Sequence, residues 1–150
     1  MRVQVPPLAL LYIWIKNTVS LVKRNDKYID ISCCSNEWEN FLGWRVGYGS
    51  KYEQNVSVPK WIRNNKKLVL LCLRGLFETD GSVYFDRKYK MANFVTTISK
   101  LAGDVMDLIS QVGFRANMQI LESRNKKTKY TIRISRNAEK FIKTVGINKS

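Results

Sequence analysis

Leu73-Arg74-Gly75-Leu76-Phe77-Glu78-Thr79-Asp80-Gly81 decides the fold: an apolar run of helical spacing ends in an acid and a glycine, and strand-forming residues follow at Ser82-Val83-Tyr84-Phe85. Upstream, Leu68-Val69-Leu70-Leu71-Cys72-Leu73 is apolar on every side, so a helix over residues 66–79 is expected to be buried rather than half-exposed. Cys72, Gly75 and Thr79 fall on one stripe of small residues, a surface that lets a second helix approach. Gly81 is expected to end the helix in the left-handed conformation, leaving Asp80 beside the partly negative carbonyls of the last turn. A carboxylate and a helix C-terminus at one point suit a hard cation such as Mg²⁺, which takes oxygen ligands and keeps several waters.

Outward from this helix the order reads hairpin, helix, hairpin, helix. Ser82 to Phe85 and Phe94 to Ser99 are expected as strands about the charged turn Asp86-Arg87-Lys88, and Leu101, Val105, Leu108, Ile109 and Val112 have helical spacing before Gly113 stops them. In the second hairpin Ala116, Met118 and Ile120 alternate with Arg115, Asn117 and Gln119, while Tyr130, Ile132 and Ile134 alternate with Lys129, Thr131 and Arg133. One face of that ribbon packs and the other is polar and basic. An α+β fold follows, with ribbons over 82–99 and 115–135 in one antiparallel sheet and helices over 66–79, 101–112 and 137–144 on its other side. Arg, Asn and Gln read base edges, Lys and Thr reach phosphates, and a two-stranded ribbon fits the major groove of DNA. The solvated face of an ordinary antiparallel sheet shows the same alternation.

Charge supports the nucleic-acid reading. Lys and Arg number 26 against 12 Asp and Glu, a formal net charge of +14, and residues 113–150 alone hold 10 basic and 2 acidic side chains. Leu8 to Ile15 is apolar but far short of the ~20 residues that span a bilayer, so no membrane partner is expected and an intracellular location is. Cys33, Cys34 and Cys72 are odd in number and not spaced as metal ligands, which reads as reduced thiols. The absence of histidine removes His-based metal sites and histidine general bases, leaving carboxylates, lysine and water for any chemistry.

The nonapeptide resembles the signature of the LAGLIDADG homing endonucleases, matching it at Leu73, Gly75, Leu76, Asp80 and Gly81 and departing from it at Arg74, Phe77, Glu78 and Thr79. Val58-Pro59-Lys60-Trp61-Ile62 ahead of the helix and Ser82-Val83 after it look like the second repeat of that family. The resemblance implies an αββαββα repeat over 58–150, with its antiparallel sheet forming a saddle over duplex DNA and its helices on one face. It places Arg115, Asn117, Gln119, Lys129, Thr131 and Arg133 on the duplex, and the first hairpin offers Ser82, Tyr84, Arg87 and Lys88 to the same partner. It further implies hydrolysis of phosphodiester bonds in double-stranded DNA at a long specific site, using Mg²⁺ or Mn²⁺ held by one carboxylate from each of two motif helices packed side by side. Asp80 is the carboxylate carried over, with the Thr79 carbonyl as auxiliary ligand, and Lys100 is the candidate to polarise water or stabilise charge on the phosphate.

Residues 1–57 look like an incomplete first repeat. Thr18 to Val22 and Tyr28 to Ile31 make a hairpin about Asn25-Asp26, and a short helix follows through Trp38, Phe41 and Leu42, where Glu37 and Glu39 read as a solvated face. Leu8 to Ile15 stands where a first motif helix belongs but has no acid-glycine end. One motif makes half a site, so either a second copy of the chain pairs through Cys72, Gly75 and Thr79, or the chain binds without cutting both strands. The alternative function is accordingly a non-cleaving module: an intron maturase that binds intron RNA, a regulator, or a truncated endonuclease. A different nuclease pattern, Asp80 with Asp86-Arg87-Lys88, imitates the acid, acid-x-Lys arrangement of restriction-type enzymes.

Overall fold

A computed structural model describes residues 19–25, 28–33, 37–124 and 126–149, the hairpin at 19–33 as backbone trace. The motif helix expected to be missing from the first repeat, at Leu8 to Ile15, lies outside the described residues. The chain begins its described course with an antiparallel hairpin, β1 (Val19–Asn25) and β2 (Tyr28–Cys33), which forms a two-stranded sheet of its own. A short helix α1 (Trp38–Leu42) ends at Gly43, whose φ of 69° is the left-handed turn that stops it.

The motif helix is α3 (Lys66–Thr79), entered through a single turn α2 (Lys60–Arg63). Asn65 caps it: the side-chain oxygen accepts from the backbone N–H of Lys67 at 3.0 Å and of Leu68 at 3.3 Å. As its apolar surround demanded, only Lys66, Lys67 and Thr79 along its length are exposed. Val69, Leu73 and Phe77, each four residues from the next, point into the core. Phe77 packs against Phe94 with ring centroids 5.9 Å apart and edge-on to Phe141 at 5.1 Å, so a larger ring inside the motif serves as the junction of helix, sheet and C-terminal helix.

Beyond it run β3 (Gly81–Asp86), β4 (Tyr89–Thr96), α4 (Ser99–Gln111), β5 (Ala116–Ser123), β6 (Lys126–Ile134) and α5 (Ala138–Val145). The four strands make one fully antiparallel sheet in the order β3-β4-β6-β5. Helices cover one of its faces, where Ala92, Phe94, Ile132 and Ile134 are buried against Val105, Leu108, Ile109 and Phe141. This is the α+β arrangement expected from the sequence.

Three expectations need correction. Gly81 does not take a left-handed φ; the positive-φ glycines among the described residues are at 43, 47, 49, 113 and 146. It is glycine because strand and helix meet there: a Cβ would lie 2.6 Å from the Phe77 carbonyl oxygen and 2.7 Å from the Phe77 Cα. The second strand of the first hairpin runs over Tyr89–Thr96 rather than 94–99, since Asp86 pairs with Tyr89 across a turn of only Arg87 and Lys88, and Ser99 already belongs to α4. Met118 and Ile120, expected to pack, are exposed because β5 is an edge strand overhanging the helices, whereas Ile132 and Ile134 on central β6 are buried.

A buried carboxylate ties the entry segment to the domain. Asp104 on α4 accepts from Ser57 Oγ and from the Val58 backbone N–H, each at 2.6 Å, and forms an ion pair with the Arg63 guanidinium. Asn55, at φ 46°, accepts from the Lys100 N–H at 3.2 Å and so caps the start of α4.

Candidate nucleic-acid interface and acid site

The pleat puts every second residue of each strand on the face the helices leave open. Register then aligns Ser82, Asn93, Arg133 and Asn117 in one row across all four strands, with Val95, Thr131 and Gln119 in a neighbouring row. Tyr84, Tyr89, Met91 and Lys129 share this face. The sheet thus gathers Ser82, Tyr84, Asn117, Gln119, Lys129, Thr131 and Arg133 from the sequence reading onto one surface. Arg115 precedes β5, and its carbonyl accepts from the Ser135 N–H at 2.9 Å. Arg87 and Lys88 sit instead in the hairpin turn at the sheet's end, off the face.

Tyr89, Met91 and Asn93 were missed, the expected strand having begun only at Phe94. Their alternation is blurred, because Met91 and Val95 put apolar groups on the open face while Lys90 falls on the covered one. Its ammonium lies 5.9 Å from the Phe85 ring centroid. Asn93 donates from Nδ2 to the Tyr84 hydroxyl at 3.0 Å, and its Oδ1 is buried with no hydrogen-bond partner among the described residues. An unfilled acceptor in the middle of a polar row is a place for a ligand donor or a water. Arg133 is oriented by Asp86, its Nη2 lying 3.6 Å from Oδ2.

Asp80 follows the last residue of α3 and precedes the first of β3. Its N–H closes the helix on the Leu76 carbonyl at 3.0 Å, and its exposed carboxylate lies 3.4 Å from the Thr79 hydroxyl, which itself donates to the Gly75 carbonyl at 2.9 Å. Cys72, Gly75, Leu76, Thr79 and Asp80 line one side of a groove of about 490 Å³, faced by Leu42, Trp44, Ile62 and Thr96. The small-residue stripe therefore borders an open channel. Burial pushes the Cys72 thiol up to about 12, so it stays protonated at neutral pH.

Lys129 also lines this groove, one residue beyond the Thr96–Tyr130 pair; Lys100 does not, its side chain being exposed at the start of α4. Glu78 turns away from the groove. It is held by Arg74 Nε at 2.9 Å and the Asn148 N–H at 3.1 Å, while Lys149 Nζ caps the Glu78 and Gly81 carbonyls at 3.1 and 2.6 Å. Partial burial opposes ionisation of Glu78, but these donors and cations outweigh it and hold its carboxyl below the usual range.

The donor set around Asp80 is all oxygen, which fits a hard divalent cation, but it supplies one carboxylate. Among the described residues no three His, Cys, Asp or Glu side chains come together as a metal cluster. The Asp80 with Asp86-Arg87-Lys88 arrangement is excluded, because the two acids stand at opposite ends of β3, ~17–20 Å apart at ~3.3 Å per residue. No helix among the described residues is long and apolar enough to cross a membrane.

A sequence-family model described as the LAGLIDADG-like domain matches residues 67–146. Among solved structures, the chain resembles the homing endonuclease I-DmoI. It is 18% identical to I-DmoI in complex with DNA and Mn at a TM-score of 0.56, covering 95% of this chain and 72% of that one. The complex of I-DmoI with DNA and Ca is matched at 18% identity and a TM-score of 0.57, over 95% of this chain and 66% of that one. Mesophilic variants of I-DmoI match at 19% identity and a TM-score of 0.56, over 93% and 70%. No functionally curated protein matches the chain.

Proposed function

Since the chain belongs to the LAGLIDADG family, with its repeat over residues 67–146, we propose that it recognises a long site in double-stranded DNA through the open face of its sheet and hydrolyses phosphodiester bonds there by an Asp80-dependent, metal-dependent reaction. One observation carries this reading: the acid and the recognition face are parts of a single strand junction. Asp80 stands immediately before β3, and Ser82, two residues on, opens the polar row that runs through Asn93 and Arg133 to Asn117. A duplex lying on that face brings a phosphate to the acid.

Side-chain chemistry assigns the parts. Arg133, Asn117 and Gln119 are suited to base edges, Lys129 and Thr131 to phosphates. Asp80 and the Thr79 carbonyl would hold Mg²⁺ or Mn²⁺, which supplies an activated water and neutralises charge building on the phosphate oxygens. The lysine we place beside the scissile phosphate is Lys129, which shares the Asp80 groove, rather than Lys100. Cutting both strands needs a second carboxylate, and a second copy seated on the Cys72, Gly75 and Thr79 side of the groove would bring its own Asp80.

The same solitary carboxylate favours a second reading, in which residues 1–57 are a first-repeat remnant and the chain binds DNA, or intron RNA, without double-strand cleavage. Cleavage of a bound duplex separates the two. We expect Mg²⁺- or Mn²⁺-dependent cutting that is abolished by Asp80→Asn with binding retained, and a sedimenting species of two chains on the DNA. Binding without cutting by the wild type supports the second reading, and cutting that survives Asp80→Asn overturns the acid assignment.

A further inference from the structure

A second basic surface lies where the sheet comes apart. The β4–β6 ladder ends at Asn93–Arg133, and beyond it β4 continues toward the Arg87-Lys88 turn while the other chain leaves β6 for α5. Between them opens a cleft of about 1160 Å³ in which seven of the fifteen lining residues are Lys or Arg, among them Lys88, Lys90, Arg136, Lys140 and Lys143. Its carboxylates are two, Asp86 and Glu139, and Asp86 is already engaged by Arg133. Helix α5 starts on this cleft with no side chain capping its first N–H groups. Uncompensated charge of this density at one end of a fold calls for an anion.

Its extent selects the kind of anion. Along β4 the cleft is lined by Tyr89, Lys90 and Met91, ~7 Å at ~3.3 Å per residue, and its other wall runs from Arg133 through Asn137 to Lys143 at the first turns of α5, an extent beyond one phosphate and suited to successive phosphates of a strand. Tyr89, Met91 and Arg133 belong at once to the open face of the sheet and to the cleft, so the two surfaces are continuous. We propose that the cleft is a phosphate clamp for duplex DNA that runs past the recognised site. It extends grip without reading sequence. The inference rests on the DNA-binding reading above.

The test uses the whole chain and two duplexes carrying the same selected site, one trimmed to the site and one extended by about ten base pairs at each end. The expected result is that wild type prefers the extended duplex by at least tenfold at low salt. Its slope of log affinity against log salt should also be steeper by about 2–3 for the extended duplex, as contact with that many more phosphates requires. The variant Arg136→Ala/Lys140→Ala/Lys143→Ala, all at exposed positions, should bind both duplexes with the wild-type affinity for the trimmed one and keep its sequence preference. Wild type that binds both duplexes alike, or a variant that keeps the preference for the extended one, overturns the clamp while leaving the saddle standing. Loss of the trimmed site in the variant, or loss only of structured RNA binding, overturns it too. Failure of wild type to bind either duplex removes the DNA-binding reading and the clamp with it.

Discussion

Gly81 shows how a motif residue can be read correctly in identity and wrongly in cause. The acid-glycine pair marked the end of the helix, but the sequence pattern alone does not say whether a glycine is there for a positive φ or for want of a Cβ. The close approach of Phe77 backbone settles it for the second. Gly81→Ala is therefore expected to destabilise the fold by ~1–3 kcal/mol, the usual cost of overpacking, because both clashing atoms are backbone and cannot rotate away; chemical denaturation measures this, and an unchanged midpoint would refute the close-approach account. Glu78 illustrates the opposite case, an acid inside the motif whose role is to hold the C-terminal segment. Its carboxyl is held below its ordinary value in the folded chain, so its contribution to stability is present above the ordinary carboxylate range and is lost as pH falls through the folded value. Glu78→Gln should accordingly flatten the acid limb of the stability profile and leave neutral-pH metal dependence untouched.

At the scale of elements, α3 was legible because its two faces carry different signals: Val69, Leu73 and Phe77 at four-residue spacing for the core, and Cys72, Gly75 and Thr79 as small residues bordering the groove. Strand β6 was legible for the same reason, with a clean period of two. Strand β4 was legible only at its end, Phe94 to Thr96, because its covered face includes Lys90 and its open face Met91 and Val95, so Asn93, one of the four residues of the polar row, came only from register. Strand β5 misled in a third way: its alternation is real, but on this edge strand only Ala116 packs against the core, and Met118 and Ile120 are exposed. Ile120 is 55% exposed whereas Ile132, on the adjacent strand, is fully buried. Ile132→Ala should cost about 2–4 kcal/mol and Ile120→Ala under ~1 kcal/mol in the same denaturation experiment. Equal costs would mean that β5 is covered by something other than these helices.

For the whole molecule, the antiparallel sheet with helices on one side, the order of elements and the position of Asp80 at the end of α3 are legible in the sequence. The sharing of one groove by Lys129 and Asp80, the row across four strands and the basic cleft are not, since each depends on which residues the fold brings together. With a formal net charge of +14, and with Lys129 and Arg133 on the proposed reading face and seven Lys or Arg lining the proposed clamp, association with duplex DNA should weaken steeply with salt. The central claim is that the open face reads sequence, and the most direct measurement is selection from a randomised duplex pool by the wild type and by Asn117→Ala, Gln119→Ala and Arg133→Ala. The account predicts that wild type enriches one long site and that each variant relaxes preference at its own base pairs, by ~1–3 kcal/mol for a lost bidentate contact, with the other positions unchanged. Enrichment of no sequence by the wild type, or of the same site with the same preferences by all three variants, would contradict it.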